Sequence, residues 1–256
     1  MKMKKIAIVT GASSGIGREF VIQLAQKNKV DEIWAIARRV DRLYEMQRSL
    51  SEKVRPVPLD LVDPDDRKEL KMLLVKENPK VTFLVNAAGF GKYGTYKDLT
   101  DKEIDDMIDL NCKAVVHVTY DVLSYMERRG RVINMGSASS FQPLPEFNMY
   151  AATKAFIVHF SRALNVELKE RKISVTCVCP GFVRTEFFQV AQDTQNPGTC
   201  QNFEPMYEPD DVVKKALRDA LLGRDMSVLG FNTKMKRMAA KLLPHWLVMK
   251  VWMKIK

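Results

Sequence analysis

Six short apolar runs alternate with stretches of helical spacing along most of this chain, and few folds accept that order. The runs are KIAIVT (5–10), EIWAIA (32–37), VRPVPLD (54–60), VTFLVNAAG (81–89), GRVINMGS (130–137) and KISVTCVCP (172–180), and each reads as a buried strand. Helical spacing fills 18–27, 64–76, 101–126 and 149–170, and resumes in PDDVVKKALRDALL (209–222). Strict alternation predicts parallel strands joined by right-handed crossovers: an α/β, doubly wound parallel sheet of about seven strands with helices on both faces. The length of 256 residues suits one such domain, expected over 1–230, followed by a basic C-terminal extension over 231–256. Ligands of these sheets gather at the carboxyl ends of the strands, which is where chemistry is expected.

The first such end carries TGASSGIG (10–17), directly before a helix. Its glycines, Gly11, Gly15 and Gly17, follow a G-x3-G-x-G spacing, a variant of the dinucleotide fingerprint of Rossmann-type folds. Gly11 makes the tight turn, and Gly15 and Gly17 let backbone approach a pyrophosphate at the helix N-terminus. At the end of the second strand stand Arg38 and Arg39, with no acid to accept a ribose hydroxyl. Arginine there suits a 2′-phosphate, so NADP(H) is the expected cofactor, unless the pair only solvates a loop. Tyr150 and Lys154 lie four apart with Ala151, Ala152 and Thr153 between them, so a helix puts phenol and ammonium on one face. A nearby ammonium favours phenolate and is expected to pull the tyrosine below its usual pKa of about 10.

These motifs, with NAAG (86–89), Asn111, Ser137 and the Pro180–Gly181 pair in that order, resemble the short-chain dehydrogenase/reductase family over most of the chain up to about residue 230. NAAGFGKYG and LPHWLVMK look most like members acting on ketosteroids or 3-oxoacyl thioesters. The resemblance implies an oxidoreductase interconverting a ketone and its alcohol. Tyr150 would be the general acid and Ser137 the hydrogen-bond partner of the same oxygen. Lys154 would hold the nicotinamide ribose, and Asn111 would anchor a water relay behind it. Further cofactor contacts are expected from Ser13, Ser14 and Ile16 in the glycine loop and from Asp60 and Leu61 near adenine. Asn86, Ala87, Ala88 and Gly89 would follow the adenosine ribose, and Pro180, Gly181, Val183 and Thr185 would lie beside the nicotinamide. The family's habit of associating through two long helices implies a homodimer or tetramer.

Regular pattern is lost over 182–208, which reads as a substrate loop. Phe182, Phe187, Phe188, Phe203, Met206 and Tyr207 are expected to wall an apolar pocket there. Of the formal charge of +10, seven units sit in the tail as Lys234, Lys236, Arg237, Lys241, Lys250, Lys254 and Lys256, with no acid among them. Leu242, Trp246, Met249 and Met253 fall on one helical face, with Lys250 and Lys254 on another. Three destinations stay open for this helix: peripheral contact with an anionic membrane, a cover over the substrate cleft, or a contact between subunits. No nucleic-acid module accompanies the charge, so nucleic acid is not an expected partner. Three scattered histidines and Cys112, Cys177, Cys179 and Cys200 show no metal-ligand spacing, and no metal is expected. The apolar run Ile6–Val9 is too short for an export signal, and a cytoplasmic location is expected. A different class of function also fits the motifs: a non-catalytic scaffold that senses NADPH and docks to a membrane or partner through the basic tail.

Overall fold

The computed structural model describes residues 3–27, 29–196, 203 and 205–255; Cys200, Lys256 and part of the 182–208 loop lie outside them. Seven parallel strands form one sheet: β1 (Lys5–Thr10), β2 (Glu32–Ala37), β3 (Val54–Pro58), β4 (Lys80–Asn86), β5 (Met126–Met135), β6 (Ser174–Val178) and, after a short parallel pair β7 (Phe182–Val183) and β8 (Met206–Tyr207), β9 (Met226–Ser227). The sheet is parallel, as the alternation predicts, and its order is β3-β2-β1-β4-β5-β6-β9, so the winding reverses between β1 and β4. Thr10 holds that point open: its Oγ1 accepts from the amides of Ala87 and Ala88, both at 3.1 Å.

Successive strand residues face opposite sides, and this sorts the core into two layers. Ala7 and Val9 pack with Phe20, Val21 and Leu24 of α1 (Gly15–Gln26), Leu43 and Met46 of α2 (Val40–Leu50), and α8 (Pro209–Leu221). Ile6 and Ile8 pack with Leu70 and Leu74 of α3 (Pro64–Glu77), Val118 and Val122 of α5 (Ala114–Leu123), and Leu164 of α6 (Asn148–Glu167). Because both faces are covered, β1, β2, β4 and β6 are buried almost end to end rather than at alternate residues.

The segment expected as one helix over 101–126 is three pieces. Thr100 and Glu103 cap α4 (Asp101–Ile108) reciprocally. A π-helical turn follows over Asp109–Lys113, and then α5. The chain leaves the helix after Leu123 and is already in β5 at Met126. The wide turn aims Asn111 inward, a placement such bulges often serve. The two-residue strand β9 carries too little periodic sequence to be read in advance.

Where β9 leaves the sheet, Asp219 is fully buried and binds Lys215 at 2.6 Å, Arg224 at 3.0 Å and the Ser227 hydroxyl at 2.7 Å. Burial alone would raise its carboxyl, but these three partners hold it below the usual carboxylate range. Its stabilisation is therefore complete above the unfolded value near 4 and is lost as pH falls through the lower folded value. Asp219→Ala is expected to cost about 3 kcal/mol by denaturant melting at neutral pH, because it strands Lys215 against the core. The difference from the wild type should shrink in acid.

The tail is two helices, not one. α9 (Phe231–Leu242) and α10 (His245–Ile255) fold back over the open end of the sheet, and the Trp252 indole N–H donates to the Pro145 carbonyl at 2.9 Å. No helix among the described residues is long and apolar enough to cross a membrane.

Candidate active site

Tyr150 and Lys154 occupy successive turns of α6, with both side chains buried beside the end of β5. The Lys154 ammonium donates to the Met135 carbonyl at 2.9 Å and lies 5.6 Å from the centre of the Tyr150 ring. Burial lowers the lysine to about 8, so its charge is held at a cost. The tyrosine departs from the sequence expectation. Burial pushes the phenol above its ordinary value, a hydrogen bond with Ser137 works the other way, and the net direction is up. Desolvation outweighs any pull from Lys154, and the phenol stays protonated, as a proton donor to a carbonyl must be. The ring is stacked on Phe147 at 4.5 Å, with Phe187 tilted against it at 5.3 Å.

Ser137 follows β5 and opens a 3-10 turn (Ala138–Phe141). Its Oγ accepts from the Ser139 amide at 3.2 Å and from the Ser139 hydroxyl at 2.6 Å. Ser139 was not singled out from sequence; the serine run GSASS was its only signal. Asn111 takes a position behind Lys154 rather than in the cavity. Its amide donates to the Phe90 carbonyl at 2.8 Å and to the Thr153 hydroxyl at 3.1 Å, while its Oδ1 accepts from the Phe90 amide at 3.1 Å. Thr153 in turn donates to the Tyr150 carbonyl at 2.8 Å, so the π-turn, the Phe90 loop and α6 are tied together.

Tyr150, Lys154, Ser137 and Ser139 face one cavity of about 900 Å³. One arm runs over the glycine loop. Gly11 and Gly15 have φ of 64° and 52°, and a Cβ at Gly11 would meet the Ala88 backbone at 2.7 Å. The first turn of α1 carries no side-chain cap, which leaves its amides open to an anion. Ser13, Ser14, Ile16, Gly17, Arg38, Arg39, Asp60, Leu61, Ala87, Ala88 and Gly89 line this arm, with Pro180, Gly181, Val183 and Thr185 on its far wall. Asn86 does not: its amide points into the sheet and donates to Thr119 at 3.0 Å and to Asn134 at 2.8 Å. That corrects the expectation for Asn86. An isolated amide between apolar strands is costly, and these two partners satisfy it.

Arg39 reaches across the arm. Its Nε donates to Ser13 at 3.0 Å and a terminal nitrogen donates to Ser14 at 2.5 Å, while the other pairs with Glu186 at 2.8 Å; Arg42 reaches the same carboxylate at 2.6 Å. Arg38 faces Asp60 at 3.6 Å. A guanidinium beside two hydroxyls at the end of β2 fits a nucleotide's 2′-phosphate.

The other arm is apolar. Phe182, Phe187 and Phe188 line it, as expected. Phe203 and Met206 do not. Phe203 backs Phe188 at 4.6 Å and Phe182 at 5.5 Å, Met206 pairs with Phe182 between β7 and β8, and the Tyr207 ring fills the space beside Gly230. Its wall also includes Tyr93, Leu144, Phe147, Val248, Trp252 and Ile255, so the tail helices cover the cleft. Lys92, buried here, binds the Asp193 carbonyl and faces Glu103 at 3.5 Å. Among the described residues no cluster could hold a metal ion, and Cys112, Cys177 and Cys179 are free thiols.

Residues 5–196 match the short chain dehydrogenase family. A 3-oxoacyl-(acyl-carrier-protein) reductase from Thermotoga maritima is 32% identical over 71% of this chain and 75% of its own. A very-long-chain 3-oxoacyl-CoA reductase from Bos taurus is 29% identical over 96% of this chain and 78% of its own. Among solved structures, a short-chain dehydrogenase from Sphingobium yanoikuyae in complex with NADPH superposes with a TM-score of 0.79 at 26% identity, covering 93% of each chain.

Proposed function

The chain belongs to the short chain dehydrogenase family and is an oxidoreductase of carbonyl and alcohol groups; from that premise we propose that it interconverts an apolar ketone, of ketosteroid or 3-oxoacyl type, and its secondary alcohol with NADP(H). The observation that carries this reading is the single cavity joining the glycine loop to an aromatic chamber, with Tyr150, Ser137 and Lys154 at the junction. Gly11, Gly15 and Gly17 with Ser13, Ser14 and Arg39 would hold a nicotinamide dinucleotide, which when bound and reduced would supply the hydride for the carbonyl carbon. The electron pair of the C=O bond moves onto oxygen, and the Tyr150 phenol gives that oxygen its proton. Ser137, held by Ser139, hydrogen-bonds the same oxygen as charge develops. Lys154, fixed by Met135, would hold the ribose and so keep the reacting carbon in range. Asn111 does not touch the reactants; it positions α6 through Thr153. The apolar arm, walled by Phe187, Phe188, Val248 and Trp252, supports a substrate with a large hydrocarbon body.

The preference for NADP(H) rests on Arg39. Replacing it with alanine is expected to weaken NADPH about tenfold or more while NADH changes little, because a charge-assisted bond to phosphate is worth roughly 1.5–3 kcal/mol. Fluorescence titration with both cofactors reads this directly. An equal loss for NADH would make Arg39 a structural tie between Ser13, Ser14 and Glu186 and would remove the basis for the preference.

Self-association forms part of the proposal. Tyr120 of α5 and Phe156 and Val166 of α6 are exposed, with Phe160 bridging two of the rings at 5.9 and 6.3 Å. An aromatic face shared by two long helices suits a symmetric contact.

A further inference from the structure

The tail has two faces, and the cleft uses only one of them. On α9 the side facing the cavity is Asn232, Lys236 and Ala239, with Leu243 just beyond the helix; on α10 it is Val248, Val251, Trp252 and Ile255. An apolar stripe, Phe231, Met235, Met238 and Leu242, recurs at helical spacing on α9 and faces outward, as Trp246 and Met253 do on α10. Phe231, Leu242 and Trp246 are 75%, 72% and 64% exposed, far more than large side chains gain from packing within one chain. Lys234, Lys241, Lys250 and Lys254 surround this stripe, and residues 231–255 contain no acid.

We propose that the outer face of the α9–α10 hairpin docks on an anionic lipid bilayer, laying Phe231, Leu242 and Trp246 into the interface while the lysines meet lipid headgroups. Charge decides between the two obvious occupants. A second copy would bring the same cations against themselves in a symmetric contact, and no acid on the patch answers them. An anionic surface neutralises every one. The exposed aromatic face of α5 and α6 lies on other elements and leaves the hairpin free.

One consequence follows for the site. The same hairpin has lipid-facing and cavity-facing sides, so an apolar substrate dissolved in the bilayer has a short route into the aromatic arm. This consequence rests on the reductase reading; the docking itself does not.

Flotation of the full chain with vesicles tests the docking. The expected result is co-flotation with phosphatidylglycerol mixed into phosphatidylcholine, reduced about tenfold with phosphatidylcholine alone and weakened by high salt. Two triple variants separate the forces: Phe231→Ser with Leu242→Ser and Trp246→Ser, and Lys241→Glu with Lys250→Glu and Lys254→Glu. None of these six residues lines the cavity, so each variant should lose flotation and keep wild-type turnover of a water-soluble ketone. Wild-type protein that binds NADPH yet stays off anionic vesicles overturns the proposal. Flotation that survives both variants does so too, as does sedimentation showing an assembly that the same substitutions dissolve, which would give the face to a second copy. Absence of ketone turnover with flotation intact would count against the reductase reading and leave the docking standing.

Discussion

Tyr150→Phe is expected to lower turnover by about a thousandfold while leaving NADPH binding within a few-fold of the wild type, since positioned general acids contribute roughly 10²–10⁴ in rate. The change removes one oxygen and nothing else. The ring keeps its stacking on Phe147 and its contact with Phe187, so the pocket wall is preserved. What is lost is the proton donor and the hydrogen bond with Ser137. Melting should move little, because a buried hydroxyl and one hydrogen bond disappear together. Lost cofactor binding with lost turnover would instead assign the phenol a structural role.

Lys154→Met should separate activity from stability with opposite signs. Lys154 is 4% exposed, and the only hydrogen bond of its ammonium among the described residues is to the Met135 carbonyl. Burial takes the group from 10.5 to about 8, which corresponds to a folded-state penalty of about 3 kcal/mol at neutral pH. Methionine fills similar space without the charge, so the variant is expected to melt at or above the wild-type temperature. Turnover should fall roughly a hundredfold or more, because the group that fixes the hydride donor is gone. The sign with pH follows from a folded value below the unfolded one. The penalty is complete below about 8, fades as pH rises from there to 10.5, and is absent beyond, so the variant's advantage should vanish across that window. A variant that is destabilised at neutral pH would show that the ammonium has stabilising partners in solution and that its burial costs little.

Much of the framework was legible in the sequence because parallel strands buried on both faces read as unbroken apolar runs, and those runs set the winding. The glycine loop, Tyr150, Ser137 and Lys154 were legible because motifs at strand ends and one helical turn have fixed spacing. The unread parts have local physical causes. Met226 and Ser227 form a strand too short to show any period. The π-turn at Asp109–Lys113 keeps helical periodicity on both sides, so residues 101–123 look continuous while Asn111 is redirected. Asn86 sits in the same NAAG run as three cavity residues, yet strand alternation turns its amide toward Asn134. The tail was ambiguous for a definite reason. α9 has one apolar stripe, Phe231, Met235, Met238 and Leu242, yet it is the more polar side with Asn232 and Lys236 that meets the cleft, which sequence alone does not say. The direction of the Tyr150 shift was missed because spacing reports that a lysine is near, whereas desolvation depends on Phe147, Phe187 and the closed wall around the ring.

The most direct measurement is NADPH consumption by purified protein against a ketosteroid, a long-chain 3-oxoacyl thioester and a short aromatic ketone, with NADH in parallel and Tyr150→Phe as the control. Turnover of an apolar ketone with NADPH preferred, abolished in the control, is the predicted result. NADPH that binds tightly while none of the three ketones is turned over would contradict the catalytic account and favour a protein that senses the cofactor without using it.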